Sequence, residues 1–216
     1  SVWQYWPFLY HGAVTTLKIT AMAAVLGFIL GVLLSLIKIS KCKPLVWFGN
    51  FYTSIFRGTP LLVQLCIVHF GLPQLTGMTL TTMQSGVLTF SLNSAAYISE
   101  IFRGGINAID RGQYEAAMSL GVGYRDMMKD IILPQAVKHF LPSLVNEAIS
   151  LLKESSILSY IGAVELLRAA DQITVLTFRF FEPYLVIALI YYVFVMLLSM
   201  VASRVERWVN RSDRVS

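Results

Sequence analysis

Residues 19–37 read ITAMAAVLGFILGVLLSLI, nineteen positions without a charged side chain. As an α-helix at about 1.5 Å per residue, the run is about 28 Å long, close to the thickness of a bilayer's hydrocarbon layer. A helix that is apolar on every side needs either a large dry core or lipid around it. The chain is too small for the first. It has 216 residues, 56% of them hydrophobic and 13% charged, where soluble domains carry about a quarter charged residues. Lipid is the simpler solvent, and the fold class that follows is an all-α integral membrane protein.

Working outward, residues 184–203 (YLVIALIYYVFVMLLSMVAS) repeat the signature over twenty uncharged positions. Three further spans are less pure. Residues 46–70 are apolar around Arg57 and Pro60, residues 83–102 carry Glu100, and residues 134–161 carry Glu147, Lys153 and Glu154. No Gly/Ser-rich or Pro-rich linker divides the sequence, so residues 1–216 read as a single transmembrane domain with five helices. Residues 1–11 hold no Lys or Arg, so no cleavable signal is expected. Cys42 and Cys66 fall in different kinds of segment, without metal-ligand or disulfide-framework spacing. His11, His69 and His139 are equally scattered and suit interfacial or core positions better than a metal.

The net charge of +5 matters less than where the charges fall. With the N-terminus outside, the inner loops hold Lys38, Lys41, Lys43, Arg103, Arg111, Arg125, Lys129 and Lys138, and the C-terminal tail adds Arg204, Arg207, Arg211 and Arg214. Only Arg168 and Arg179 remain outside, with Lys18, Arg57 and Lys153 in or near spans. The positive-inside rule therefore places the N-terminus out and the C-terminus in the cytoplasm after five crossings.

The inner segment 104–133, GGINAIDRGQYEAAMSLGVGYRDMMKDIIL, is too long for a turn and reads as short helices at the cytoplasmic surface. Asp110 followed by Gln113 has the form of a capping box at a helix start. Gly121 suits a helix end that needs a left-handed backbone. Pro134 fits the first turn of the next helix, where its missing N–H costs nothing.

Glu115-Ala116-Ala117, then Gly121, then Ile132-Leu133-Pro134 resembles the EAA motif of permeases in the ATP-binding-cassette importer class, and the spacing EAA-x3-G-x10-ILP is met without gaps. Residues 56–64 (FRGTPLLVQ), 95–106 (AAYISEIFRGGI) and 152–157 (LKESSI) resemble the second, third and fourth spans of the polar amino-acid branch. The likeness runs from about His11 to Trp208 and is close to bacterial histidine, arginine and glutamine permeases. It implies a type I importer fold with a cytoplasmic coupling helix between spans three and four, in a bacterial inner membrane. Gln113, Glu115, Ala116, Ala117, Leu120 and Gly121 are then the residues that couple to the ATPase. It also implies partners: two ATPase subunits that hold ATP and Mg, a second copy or paralogue of the permease, and an extracytoplasmic amino-acid-binding protein.

The residues fit such a role on their own terms. A membrane subunit driven by a separate motor needs a rigid knob to receive a push. Small side chains at Ala116 and Ala117 can seat in a groove, and Glu115 offers a carboxylate to a basic group. An unpartnered surface helix is the plainer alternative. The chain contains no G-x4-G-K-[ST] loop to cradle ATP phosphates, so no catalytic residue, cofactor or resident metal is expected on it.

Ionisable groups in spans normally face protein or a wet cavity. At 100° per residue, Asn93, Tyr97 and Glu100 fall within about 60° of arc, together with Gly86 and Gly104. Ser143, Asn146, Glu147, Ser150 and Glu154 form a second stripe with Lys153 at its edge, and Thr53, Arg57 and Gln64 a third. Three facing stripes would line a hydrated passage, leaving the first and fifth spans in lipid, with Gly27 and Gly31 allowing a close helix contact.

An amino acid needs a carboxylate for its ammonium and donors for its own carboxylate. Glu154 is the first candidate, with Ser155, Ser156, Asn93 and Arg57 as donors and Tyr97, Gln64 and Glu100 beside them. Each has a structural alternative: Glu154 pairing with Lys153 or another helix, Arg57 and Glu100 joining helices near the inner side. The family likeness adds that the Glu154 position contributes to a substrate site in some members. A basic amino acid is favoured, although Glu154 would hold the α-ammonium of glutamine equally well. The outer loop 162–183, with Glu165, Arg168, Asp171 and Arg179, is expected either to receive the binding protein or to form a solvated re-entrant hairpin. Two competing functions stay open: an ion-coupled carrier, which would want inverted repeats and ion ligands at broken helices, and a membrane scaffold, which would not require ionisable stripes.

Overall fold

The computed structural model describes residues 2–210, with side chains from 4 to 209. Arg211 and Arg214 of the basic tail lie outside the described residues. Every regular element among those described is helical: α1 (Trp6–Lys38), α2 (Lys43–Gly58), α3 (Leu61–Cys66), α4 (Leu72–Thr76), α5 (Thr82–Asn107), α6 (Arg111–Ser119), α7 (Tyr124–Asp126), α8 (Leu133–Glu154), α9 (Leu166–Thr177) and α10 (Phe181–Asn210). Two helices, α1 and α10, are long and apolar enough to cross a bilayer, and the bent α2–α4 segment would make a third. At 26 and 22 residues, α5 and α8 have the length but carry the polar stripes.

The expected span 46–70 is not one helix. The chain turns through 105° between Lys43–Gly58 and Leu61–Thr76. Pro60 is the cause. It pushes the residue before it out of the helical region, and Thr59 sits at φ −122°, ψ 147°. Two other prolines leave a milder mark. A π-helical turn at Ile67–Gly71 runs straight into Leu72-Pro73, and another at Met127–Ile132 into Leu133-Pro134. Each proline lacks the N–H that would serve the carbonyl four residues back, and a widened turn absorbs the mismatch. Past Glu154 the chain tightens from α8 into a 3-10 helix, Ser155–Ile161, closed by left-handed Gly162.

The frame is α1 laid along α5. Gly27 and Gly31 are what allow it. A methyl group at Gly27 would lie 3.0 Å from Cβ of Ser94, and one at Gly31 only 2.6 Å from Cγ2 of Ile98. So α1 is not the lipid-facing helix its composition suggests. It buries Ile19, Thr20, Ala23, Gly27, Gly31 and Leu34 along one side. Its apolarity reflects lipid on one face and a neighbouring helix on the other. In α10 the expectation holds better, since its outer face is largely bare.

Three apolar clusters complete the molecule. Ile19, Ala23, Leu65, Val87, Phe90, Leu151 and Leu158 join α1, α3, α5, α8 and the 3-10 helix that follows α8. Leu9, Leu166, Ala169, Ala170, Ile173 and Ile187 seat α9 between α1 and α10. Segment 162–183 is thus not a solvated hairpin; its helix is packed. At the other end, Ile109, Ala117, Met127, Ile132, Ala136 and Phe140 bind the inner segment to the base of α8.

The glycine contact yields a test. Gly31→Ala should force α1 off α5 and cost about 1–3 kcal/mol, as overpacking of a tight contact does. Gly104→Ala has open space around it and is the control. Equal unfolding temperatures for the two variants in detergent would show that the helix contact is looser than described.

Candidate functional site

The inner segment is built as a knob. Asp110 is the N-cap of α6, its side chain accepting from the amide of Gly112 at 2.6 Å. The reciprocal half of the expected capping box is missing, because the Gln113 amide oxygen instead accepts from Gln135 at 3.3 Å. The full box sits elsewhere, at Thr81 and Gln84 on α5. Gly121 takes φ +72°, and the amide of Val122 reaches back to the carbonyl of Ala117 at 3.0 Å, which closes the far end of α6.

The two alanines part company. Ala117 is turned inward onto the apolar cluster at the base of α8, while Ala116 faces out beside Glu115 and Gln113. Met118, Leu120 and Tyr124 stand exposed around them, Leu120 at 82%. Bare apolar side chains rimmed by polar ones mark a partner surface.

Above the knob, the polar stripe on α5 faces the α2–α3 elbow. Pro60 has no N–H to give the carbonyl of Phe56, its partner had the helix continued. Two side-chain amides serve that carbonyl instead: Gln64 Nε2 at 3.0 Å and Asn93 Nδ2 at 3.1 Å. Gln64 also donates to the carbonyl of Thr59 at 3.1 Å and to its hydroxyl at 2.8 Å, and accepts from Asn93 at 2.9 Å. Four residues along α5, the Tyr97 ring lies 5.5 Å from the Arg57 guanidinium.

Glu100 gathers three cations. Lys38 from the end of α1 donates to it at 2.6 Å and to Ser99 Oγ at 2.9 Å, Arg103 grips it through both Nε and Nη2, and Arg57 stands 3.8 Å away. Lys38, counted above as a loop charge, is buried. The sequence offered no sign of this, because burial of its ammonium depends on a carboxylate sixty-two positions away.

On α8 the stripe divides. The carboxylate of Glu147 accepts from buried Ser94 at 2.7 Å. Glu154 is half-buried next to exposed Lys153. Ser155 is wholly buried, its hydroxyl donating to the carbonyl of Leu152 at 2.6 Å, and half-buried Ser156 donates to that of Lys153 at 3.0 Å. The structure therefore brings Arg57, Gln64, Asn93, Tyr97 and Glu100 together at the elbow, and places Glu154, Ser155 and Ser156 in a separate group at the far end of α8. Glu165, read above only as one charge of the outer loop, has a role that sequence reasoning missed. Fully buried, it caps α9 by accepting from the amides of Leu167 and Arg168, both at 2.9 Å, and takes the Tyr191 hydroxyl at 3.1 Å. An acid set directly before the run LLRAAD was the available signal. His69 Nδ1 lies 2.8 Å from Ser85 Oγ.

Comparison with known proteins places this geometry. Residues 23–212 match the family described as binding-protein-dependent transport system inner membrane component. The chain is 51% identical over 207 residues to the arginine transport system permease protein ArtQ of Bacillus subtilis, covering 96% of this chain and 94% of that one. It is 47% identical over 200 residues to a putative glutamine transport system permease protein of Rickettsia felis, covering 93% and 92%. Among solved structures, an amino acid ABC transporter crystallised with histidines superposes with a TM-score of 0.92 at 44% identity, over 96% of both chains. The MetNI methionine transporter shares the fold, with a TM-score of 0.76 at 21% identity.

The ion cluster carries its own prediction. Glu100→Gln strands the buried Lys38 ammonium and should cost about 3 kcal/mol, typical of an uncompensated buried charge. Arg103→Gln removes a largely exposed partner and should cost less than about 1 kcal/mol. Denaturation of both variants in detergent decides; a reversed order would show that Lys38 does not depend on Glu100.

Proposed function

We propose, from the premise that this chain belongs to the family of binding-protein-dependent transport system inner membrane components, that it is the permease subunit of an ATP-driven importer of polar amino acids in a bacterial inner membrane. The observation that carries this reading is the doubly capped α6, with Glu115 and Ala116 displayed on a knob fastened to α8 from below. A membrane protein acting alone has no evident use for a rigid apolar-tipped projection of this kind.

The mechanism follows from the parts. Two partner ATPase subunits, which hold ATP and Mg, close and push α6. The push passes into α5 and α8, and the passage switches between inward- and outward-facing states. A second copy or paralogue covers the polar side of α8, whose Ser143, Asn146 and Lys153 are exposed on a single chain. An extracytoplasmic binding protein supplies the amino acid, and the packed α9 with its flanking loops offers it a firm surface. Five crossings with the N-terminus outside match the distribution of Lys and Arg, with the long α5 and α8 completing the set.

Glu154 is proposed to receive a cationic group of the substrate, with Ser156 close by. It is half-buried at the end of α8 away from the knob, where the chain leaves α-helical geometry. A basic amino acid suits an acidic group there, in keeping with the arginine permease among the relatives. A carrier driven by an ion gradient would leave the knob unexplained.

Two measurements on the complex reconstituted in vesicles test this. Glu115→Arg should lower ATP-driven uptake about tenfold or more while the permease keeps its unfolding temperature; undiminished uptake would remove the coupling role. Glu154→Gln should raise the concentration of basic amino acid needed for half-maximal uptake or lower the maximal rate, with assembly of the ATPase intact. Unaltered kinetics for every polar amino acid would show that the ligand carboxylate lies elsewhere.

A further inference from the structure

Asn93, Tyr97 and Glu100 share one face of α5, and all three are engaged by the elbow between α2 and α3. Asn93 meets Phe56 and Gln64, Tyr97 meets Arg57, and Glu100 stands near Arg57. Just before them on the helix, the carbonyl of Leu92 accepts from the Tyr52 hydroxyl of α2 at 2.6 Å. The face that its polarity marked as passage lining is thus spent on gripping a neighbouring segment.

The grip is tightest where exposure is least. Gln64 and Asn93 are 7% and 6% exposed, and their amide groups are engaged with each other and with carbonyls at the break. At that burial no water stands ready to replace a lost amide partner, so opening this pair would leave several polar groups bare at once. At its other end α5 leads almost directly into the knob. Only residues 108–110 separate it from α6, and Ile109 among them is buried in the apolar cluster that holds α6 to α8.

We infer that Gln64 and Asn93 are positioning residues that clasp the elbow to α5, so that displacement of the coupling helix moves the broken α2–α3 segment as one body with α5. This deepens the importer reading and rests on it. Neither amide touches the amino acid. Their effect on transport is mechanical: they convert a push on α6 into a shift of the elbow that carries Arg57. Tyr97 and Arg57 add a weaker, more exposed hold on the same joint.

The test uses the full complex of permease, ATPase and binding protein in vesicles, with uptake and ATP hydrolysis measured together. If the wild-type complex shows no ATP-driven uptake, the importer reading itself fails. Given uptake by the wild type, Asn93→Ala and Gln64→Ala should each lower uptake per ATP hydrolysed about tenfold, within the ordinary range of coupling between sites. The half-saturating concentration of loaded binding protein and the order of preferred amino acids should stay within about twofold. Exchanging the pair, Gln64→Asn with Asn93→Gln, should recover part of the loss, which removal of a substrate contact would not do. A changed order of amino-acid preference, or uptake and hydrolysis falling in strict proportion, would overturn the clasp. Tyr97→Leu spares the buried amides in case the alanine variants do not assemble; it should lower uptake per ATP in the same sense by a smaller factor, and an unaltered ratio would equally overturn the proposal.

Discussion

A backbone carbonyl shielded from water needs a donor from elsewhere in the protein, and Pro60 deprives the carbonyl of Phe56 of its helical one. The side-chain amides of Gln64 and Asn93 resolve this, and the packing of α2, α3 and α5 is arranged around that solution. The elbow lets α2 and α3 run at 105° to each other. Its fastening to α5 gives α5 its polar face. The position of α5 against α1 in turn rests on two glycines that leave no room for a methyl group. Removing the amide pair would leave buried polar groups at the break unpaired, at a cost of a few kcal/mol for each.

The same economy governs the charges. Glu100 is neutralised by protein, chiefly Lys38 and Arg103, and so is committed to joining α1, α2 and α5. Glu147 is tied to Ser94 through a hydroxyl. Glu154 sits beside exposed Lys153 at the end of α8 remote from the knob, where the helix tightens. Carboxylates of one chemical type therefore do different work according to what reaches them. Glu100 has three cations around it, whereas Glu154, among the described residues, has only the neighbouring Lys153 on its own helix.

The structure is held rigid at two places. The knob is held by a cap at Asp110, a left-handed turn at Gly121 and the inward-facing Ala117. The elbow is held by its amides. Between them α5 is an unbroken helix of 26 residues, about 39 Å long at 1.5 Å per residue, so the two rigid parts are joined by one continuous element.

The membrane class, the knob with its Asp110 cap and left-handed Gly121, and the place of Pro134 at the start of α8 were legible in the sequence, because they are local: hydropathy, spacing and backbone preference act over a few residues. That Gly27 and Gly31 would admit a close helix contact was legible as well, but not that the partner is α5. Other features depend on partners far along the chain. The span 46–70 looked continuous, since its apolar composition masks the break that Pro60 imposes. Lys38 looked like a loop charge, and α1 like a helix in lipid alone. Asn93, Tyr97 and Glu100 were correctly grouped on one face, yet only the fold revealed that this face meets the elbow. Helical periodicity sets which side chains share a side of a helix. What lies opposite is decided by packing between segments tens of residues apart, and no local pattern encodes it.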